Sequence, residues 1–333
     1  MASYKEIFGT NIEVVASDPA NPVAGQVWYN STDNVVKGEA VTTVGSWATG
    51  GDLNVPSRYG GMLGNDNTAA LAYGGLTPTT PGEVVTCELY NGSTWTEVND
   101  LNQSKSFMGS SGSTTAGLVS GGYRYPTSGR LATNESWNGT SWTEDADLNT
   151  ARSGNGASGS QTAAITFGGQ SGDTTPVAVT ETWNGTSWTE VGDLNTARAS
   201  MASSNSTSNT ATLAFGGNSS PNAITESWNG TSWTEVADLN TGRAGFGGAG
   251  NDNTSALGFG GSPTPVVGRI TESYDGTSWT EVADMTTQRA YGEGTGSSTS
   301  ALAAGGDDGA TIHGSSEEWT GAGAPVTVTF TDS

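Results

Sequence analysis

Cysteine and histidine are almost missing: the 333 residues hold one Cys, Cys87, and one His, His313. A lone Cys excludes an internal disulfide, and the two together cannot build a Cys/His metal cluster. Basic residues are scarce too. Eleven Lys and Arg stand against 33 Asp and Glu, a formal net charge of -22. So acidic a surface repels phosphate backbones and anionic lipid, so neither nucleic acid nor membrane insertion is expected. No stretch approaches the roughly 20 apolar residues that span a bilayer. The opening Met1–Phe8 lacks the charged-then-apolar pattern of a signal peptide. Synthesis in a cytoplasm is the expectation.

Glycine and the aromatics are plentiful, with 50 Gly, 11 Trp, 9 Tyr and 7 Phe. Their spacing is periodic. A unit of about 46 residues recurs six times, the scale of one propeller blade. Gly pairs close an apolar run at Gly74-Gly75, Gly121-Gly122, Gly168-Gly169, Gly216-Gly217, Gly260-Gly261 and Gly305-Gly306. A Glu-x-aromatic element follows each pair, for instance Glu135/Trp137, Glu181/Trp183 and Glu226/Trp228. A second Trp follows in five units, at Trp95, Trp142, Trp188, Trp233 and Trp279. An Asp-Leu or Asp-Met step then leads to a basic residue, read as Arg58, Lys105, Arg152, Arg198, Arg243 and Arg289.

Each unit reads as four short strands, a to d. In the fifth, these are Arg243–Ala249, Thr254–Phe259, Arg269–Tyr274 and Thr277–Val282. The architecture expected is an all-β, six-bladed propeller with four-stranded blades. In the c–d hairpin, Asn138-Gly139 fits the two central positions of a type I′ turn. That register sets Trp137 opposite Thr140 and Glu135 opposite Trp142, and puts both Trp side chains and the Glu on one buried face. A buried carboxylate needs a partner, so a structural Glu–Arg pair is expected in every blade. The sixth d-strand Trp is Trp47, upstream of every other landmark, so a strand near Trp47 should close the ring; Val326–Phe330 is the alternative. The domains are then a 1–42 hairpin extension and a 43–333 propeller.

These landmarks, in register over residues 45 to about 320, resemble the kelch repeat, with Trp in place of Tyr at several c positions and a shorter c–d turn. The resemblance implies a binding platform, and its copper-oxidase branch is excluded because two His ligands are needed. The run Glu135–Glu144 is similar to propeller repeats in virion proteins of tailed, especially marine, bacteriophages. Pro22–Gly38 resembles a hairpin module of phage fibre and tail proteins, and by its own pattern it reads as a hairpin. What these resemblances imply is a non-enzymatic virion component (fibre, tail or capsid decoration) displayed on the particle exterior. It would attach to other virion proteins through residues 1–40, with host surface glycan as a possible ligand. The competing readings are a secreted bacterial adhesin and a glycan-active enzyme using two loop carboxylates.

Chemistry has few places to sit. A Ser-His-Asp triad would need His313, which reads as a loop residue. Asn65-Asp66-Asn67 and Asn251-Asp252-Asn253 offer oxygen ligands for Ca²⁺ but match no complete loop motif and read as polar turns. The Asn-Gly-Thr runs at Asn138, Asn184 and Asn229 read as hairpin turns, and Cys87 as a small filler in strand c. No cofactor is expected. The b–c connections differ in every unit, and variable loops on a rigid scaffold are where binding is placed. The candidate ligand residues are Tyr123, Arg124, Tyr125, Asp173, Arg269, Asp307 and Asp308, with Tyr123–Tyr125 foremost because Tyr and Arg dominate binding hot spots.

Overall fold

The computed structural model describes residues 12–19, 26–41, 45–78, 82–125, 129–172, 175–205, 207–218, 222–263, 266–321 and 325–330. Every regular element among them is a strand, and no helix is long and apolar enough to cross a membrane. The chain divides into two compact units, Met1–Gly45 with Thr320–Ser333, and Ser46–Trp319.

The first unit is one sheet. Glu13–Val15 runs parallel to Val27–Asn30, which pairs antiparallel with Val35–Val41, and Pro325–Phe330 completes it. The hairpin read in Pro22–Gly38 is thus present at Val27–Val41. Val326–Phe330 belongs beside Val35–Val41, whereas the sequence reading grouped it with the repeats; its six-residue pairing with that strand is the reason. Trp28 is fully buried and donates its indole N–H to Asp18, which also receives Asn30 and Lys37. Those bonds, led by Lys37, hold the Asp18 carboxyl down at about 2.

The second unit is propeller-like, built from six four-stranded sheets in chain order. The third is representative: Gly156–Ser160, Ala163–Phe167, Thr180–Trp183 and Trp188–Glu190, all antiparallel. The sixth comprises Glu293–Ser297, Ser300–Ala304, Ser316–Thr320 and, from far upstream, Ser46–Thr49. The a strands of successive sheets lie against one another, and the sixth lies against the first. The Gly pairs are required by the backbone: at Gly168 and Gly169, φ is +62° and +99°, a sequence of left-handed conformations that side chains resist. The second glycine of each pair donates to a carbonyl of the next unit. Gly75 donates to Lys105, Gly122 to Arg152, Gly169 to Arg198, Gly217 to Arg243, Gly261 to Arg289 and Gly306 to Ser57.

That series corrects one landmark. Ser57, not Arg58, occupies the position of the buried basic residue, so the first unit has no cation there. The repeated cations also precede strand a rather than opening it. Arg243, for example, lies before Gly247–Asp252. Five ion pairs form, Lys105–Glu135, Arg152–Glu181, Arg198–Glu226, Arg243–Glu272 and Arg289–Glu317, all essentially out of solvent. Each Glu also accepts bonds from the residue after the Asp-Leu or Asp-Met step, as Glu181 does from the backbone and side chain of Asn149. Glu88 keeps that half of the arrangement, through Asn54 and Val55, without the cation.

The c–d hairpin differs from the expected register. Trp137 faces Trp142 directly and Glu135 faces Glu144, so the loop has four residues rather than two. Asn138 explains this: its side-chain oxygen accepts the amides of Thr140 and Ser141, an Asx turn that outcompetes type I′. Gly139 alone takes positive φ, +91°. Lengthening by two residues preserves side-chain parity, so both Trp rings and Glu135 still share the buried face.

The d-strand Trp residues seat against the preceding sheet. Trp47, Trp142, Trp233 and Trp279 meet Phe259, Tyr73, Phe167 and Phe215 at centroid distances of 5.0, 5.4, 4.7 and 4.9 Å. Trp233, Trp279 and Trp47 donate to the hydroxyls of Thr180, Thr225 and Thr271. Trp188 and Trp142 lack such a hydroxyl, because Asn134 and Cys87 stand at its position. Cys87 is fully buried, and burial pushes its thiol up to about 12, so it is a filler. Cys87→Thr should give Trp142 a proper acceptor and stabilise by about 1 kcal/mol. A urea midpoint unchanged or lowered by this substitution would show that the hydroxyl contributes nothing there.

Candidate functional site

Where the six a strands begin, one residue per unit adopts left-handed backbone: Tyr59, Phe107, Gly154, Ser200, Gly245 and Tyr291, with φ between 53° and 67°. Their amides form a cycle. Phe107 donates to Tyr59, Gly154 to Phe107, Ser200 to Gly154, Gly245 to Ser200, Tyr291 to Gly245, and Tyr59 back to Tyr291, at 2.6–2.8 Å. Glycine fills this position in two units, and a bulky residue there costs roughly 1 kcal/mol or more. Three units nevertheless carry an aromatic. Tyr59 stacks on Phe107 at 4.0 Å and contacts Tyr291 at 4.6 Å, all three half-buried. They line the mouth of a cavity of about 140 Å³ that the a strands enclose.

Beside them stand the foremost sequence candidates. Tyr123–Arg124 pairs with Gly129–Arg130 in a short hairpin, and Ser106 bridges to Tyr123. Phe107 and Tyr123 are shared walls of two lateral cavities. One, about 250 Å³, adds Arg58, Glu83 and Tyr125; the other, about 240 Å³, adds Arg130, Gln170 and Ser200. Tyr125 is 53% exposed. Glu83 anchors the hairpin, accepting the Tyr125 amide at 2.9 Å and the Ser106 hydroxyl at 2.9 Å. Burial pushes its carboxyl up, partly offset by those bonds. The Arg130 guanidinium lies 5.5 Å over the Tyr123 ring and bonds Gln170, while Arg58 lies 4.9 Å over Tyr59. Cations over ring faces hold both partners in place.

The remaining candidates separate. Asp307 reaches this region only as a partner, buried and ion-paired with Arg58 at 2.9 Å. Asp308 caps its own turn through the amides of Ala310 and Thr311, which hold its carboxyl below the usual range, and lies 3.6 Å from His313. Arg269 is exposed in the fifth b–c connection and lines neither lateral cavity. Asp173 lies outside the described residues. Asp66 and Asp252 bond the Thr two residues on, and Asn67 and Asn253 reach the Trp319 and Trp228 carbonyls, so both Asn-Asp-Asn runs are engaged as turns. Among the described residues no three His, Cys, Asp or Glu side chains are grouped to hold a metal.

No protein-family model and no curated protein matches the chain. The solved structure of YjhT does, with a TM-score of 0.65 at 14% identity, over 79% of this chain and 95% of that one. The likeness is one of fold.

Sequence reasoning missed Tyr59, Phe107, Tyr291 and Glu83, and it missed Glu293. Glu293 takes the position held by Gly61, Gly109, Gly156, Ala202 and Gly247 in the other sheets. Its cross-strand partner is Ala304, where four sheets have Tyr or Phe, so its side chain uses the room that ring would fill. Burial pushes the Glu293 carboxyl up to about 8, against the pull of its own and the Gly60 amides. The folded state therefore keeps a proton that the unfolded state, with an ordinary value of 4.5, releases. Stability should fall as pH rises from about 4.5 to 8, by roughly 1.4 kcal/mol per unit at most. Glu293→Gln should remove that slope and gain stability at pH 8, by at most about 4 kcal/mol, with no gain at pH 4.5. Equal effects in urea titrations at the two pH values would contradict it.

Proposed function

We propose that this chain is a non-enzymatic, saccharide-binding component of a phage virion, displayed outward on a fibre, tail or capsid. Its Ser46–Trp319 unit is read as a six-bladed, kelch-like propeller closed by the Ser46–Thr49 strand. Two observations support closure: the contact of the sixth a strand with the first, and the amide cycle that returns from Tyr59 to Tyr291. The virion assignment rests on the likeness of the repeat wording and of the N-terminal hairpin to phage proteins, and host attachment would explain a ligand face on such a particle.

The observation that carries the binding reading is the aromatic trio. Tyr59, Phe107 and Tyr291 occupy backbone positions that favour glycine, so their side chains are kept at a cost in folding. Together with Tyr123 and Tyr125 they offer ring faces around cavities edged by Arg, Glu and Gln. Flat apolar faces with a few directed polar groups suit a sugar ring. The loop carboxylates are occupied otherwise, Glu83 in anchoring its hairpin and Asp307 in pairing Arg58, which favours binding over glycoside hydrolysis.

The test is binding of the purified protein to surface polysaccharide isolated from host cells. The double variant Tyr123→Ala/Tyr125→Ala is expected to weaken it at least 30-fold, the size of a hot-spot loss. Saturable binding that survives the double variant would move the site elsewhere.

A further inference from the structure

The two lateral cavities are one feature met twice. In successive units Arg58 bridges to Leu76, Ser106 to Tyr123 and Ser153 to Gln170. The first cavity is lined by residues of the first two bridges, the second by Tyr123 and both residues of the third. Each is thus the crevice between neighbouring units, repeated one unit further along the chain. Phe107 and Tyr123 wall both. Their volumes are nearly equal, about 250 and 240 Å³, but their linings differ. Leu76, Pro78 and Tyr125 give the first an apolar side, whereas Ser153, Gln170 and Ser200 bring hydroxyl and amide groups to the second.

Size decides how a ligand would use them. Ligand pockets run from roughly 300 Å³ upward, so each cavity alone is small, while the two together fall within the range. The charged groups at their edges are engaged with the protein itself: Arg58 with Asp307, Arg130 with Gln170, and Glu83 with the Tyr125 amide and the Ser106 hydroxyl. Selection of a ligand then falls to ring faces, hydroxyls and amides. We infer that the two cavities are consecutive subsites, and that the recognised unit is a pair of linked sugar residues laid across Phe107 and Tyr123, one against Leu76 and Tyr125, the next against Gln170 and Ser200. Tyr123 can serve both because it is fixed, with the Arg130 guanidinium 5.5 Å over its ring and its backbone bridged to Ser106. Linkage makes the second engagement intramolecular, so a joined pair binds far better than two separate sugars. A crevice repeated at the step of the fold suits a polymer whose residues follow one another at a fixed step.

This inference rests on the saccharide-binding reading, and the experiment separates the two. Host surface polysaccharide would be partly hydrolysed and sorted by size into fragments of one to four sugar residues. Each fraction, and the intact polymer, would be titrated calorimetrically against the full chain. Affinity is expected to rise at least tenfold from one residue to two, and less than threefold at each later step. Gln170→Ala, which keeps the backbone bridge to Ser153, should cut the first step below threefold. Arg269→Gln, in neither cavity, should leave it whole. One residue binding as tightly as two overturns the inference and leaves saccharide binding standing. So does a first step that survives Gln170→Ala, a tenfold gain at every later step, or a polymer that binds when no fragment does. Failure of the polymer and all fragments removes the saccharide reading itself.

Discussion

Arg243→Met should lower the unfolding free energy by about 3–5 kcal/mol, because it strands the Glu272 carboxylate in a site that excludes water. Glu272 would retain its bonds from Asn240 and Thr241, but no cation. The natural control is already in the chain. Glu88 has those amide bonds and, among the described residues, no ion pair. Glu88→Gln should therefore cost only about 1 kcal/mol, the scale of a hydrogen bond rearranged rather than a charge uncovered. Adding Glu272→Gln to Arg243→Met should recover part of the loss, a coupling of roughly 1–3 kcal/mol in a double-mutant cycle. Urea midpoints of the four proteins measure this. Equal costs at Glu88 and at a paired Glu would mean the cations contribute nothing.

Trp47→Ala should cost a similar 3–5 kcal/mol, the usual range for a truncated core aromatic. Trp47 is 9% exposed, lies 5.0 Å from Phe259 and 5.4 Å from Trp319, and donates to Thr271. It therefore joins a strand from one end of the unit to the sheet at the other. The proposed closure makes Ser46–Thr49 indispensable, so the loss should spread to the whole unit and appear as one cooperative transition. A loss below about 0.5 kcal/mol, the range for ordinary surface positions, would leave that strand outside the core.

Repetition made most of the architecture legible. The Gly pairs, the Glu-x-aromatic elements and the second Trp mark strand ends by their backbone and packing demands, and the sheets follow them. Repetition also misled. Arg58 lies one residue past the buried position, and only the amide of Gly306, bonded to Ser57, reveals the offset. Once Arg58 is misplaced, Tyr59 no longer aligns with Phe107 and Tyr291, and the aromatic trio disappears from view. The hairpin register depended on a contest between backbone types at Asn138 that a two-residue pattern does not represent.

The proposed ligand face was half legible. Tyr123 to Tyr125 stood out as unrepeated aromatics and an unrepeated Arg. Glu83 and Glu293 carried a signal of the same kind: with Glu318 they are the Glu residues between 46 and 319 that break the repeat. Their departures mark an anchor and a buried proton. Asp307 and Asp308 were conspicuous as loop acids, yet Asp308 caps its own turn and Asp307 is divided between its turn and Arg58, a distinction that depends on backbone geometry.

The central claim is that the aromatic and arginine face around Tyr123 attaches a virion to a host saccharide. The direct measurement is adsorption of phage to host cells that have first been exposed to purified protein. The account predicts that wild-type protein blocks adsorption in a saturable way and that Tyr123→Ala/Tyr125→Ala, folded and at the same concentration, leaves it intact. Adsorption unaffected by the wild type, or blocked equally by the variant, would contradict it.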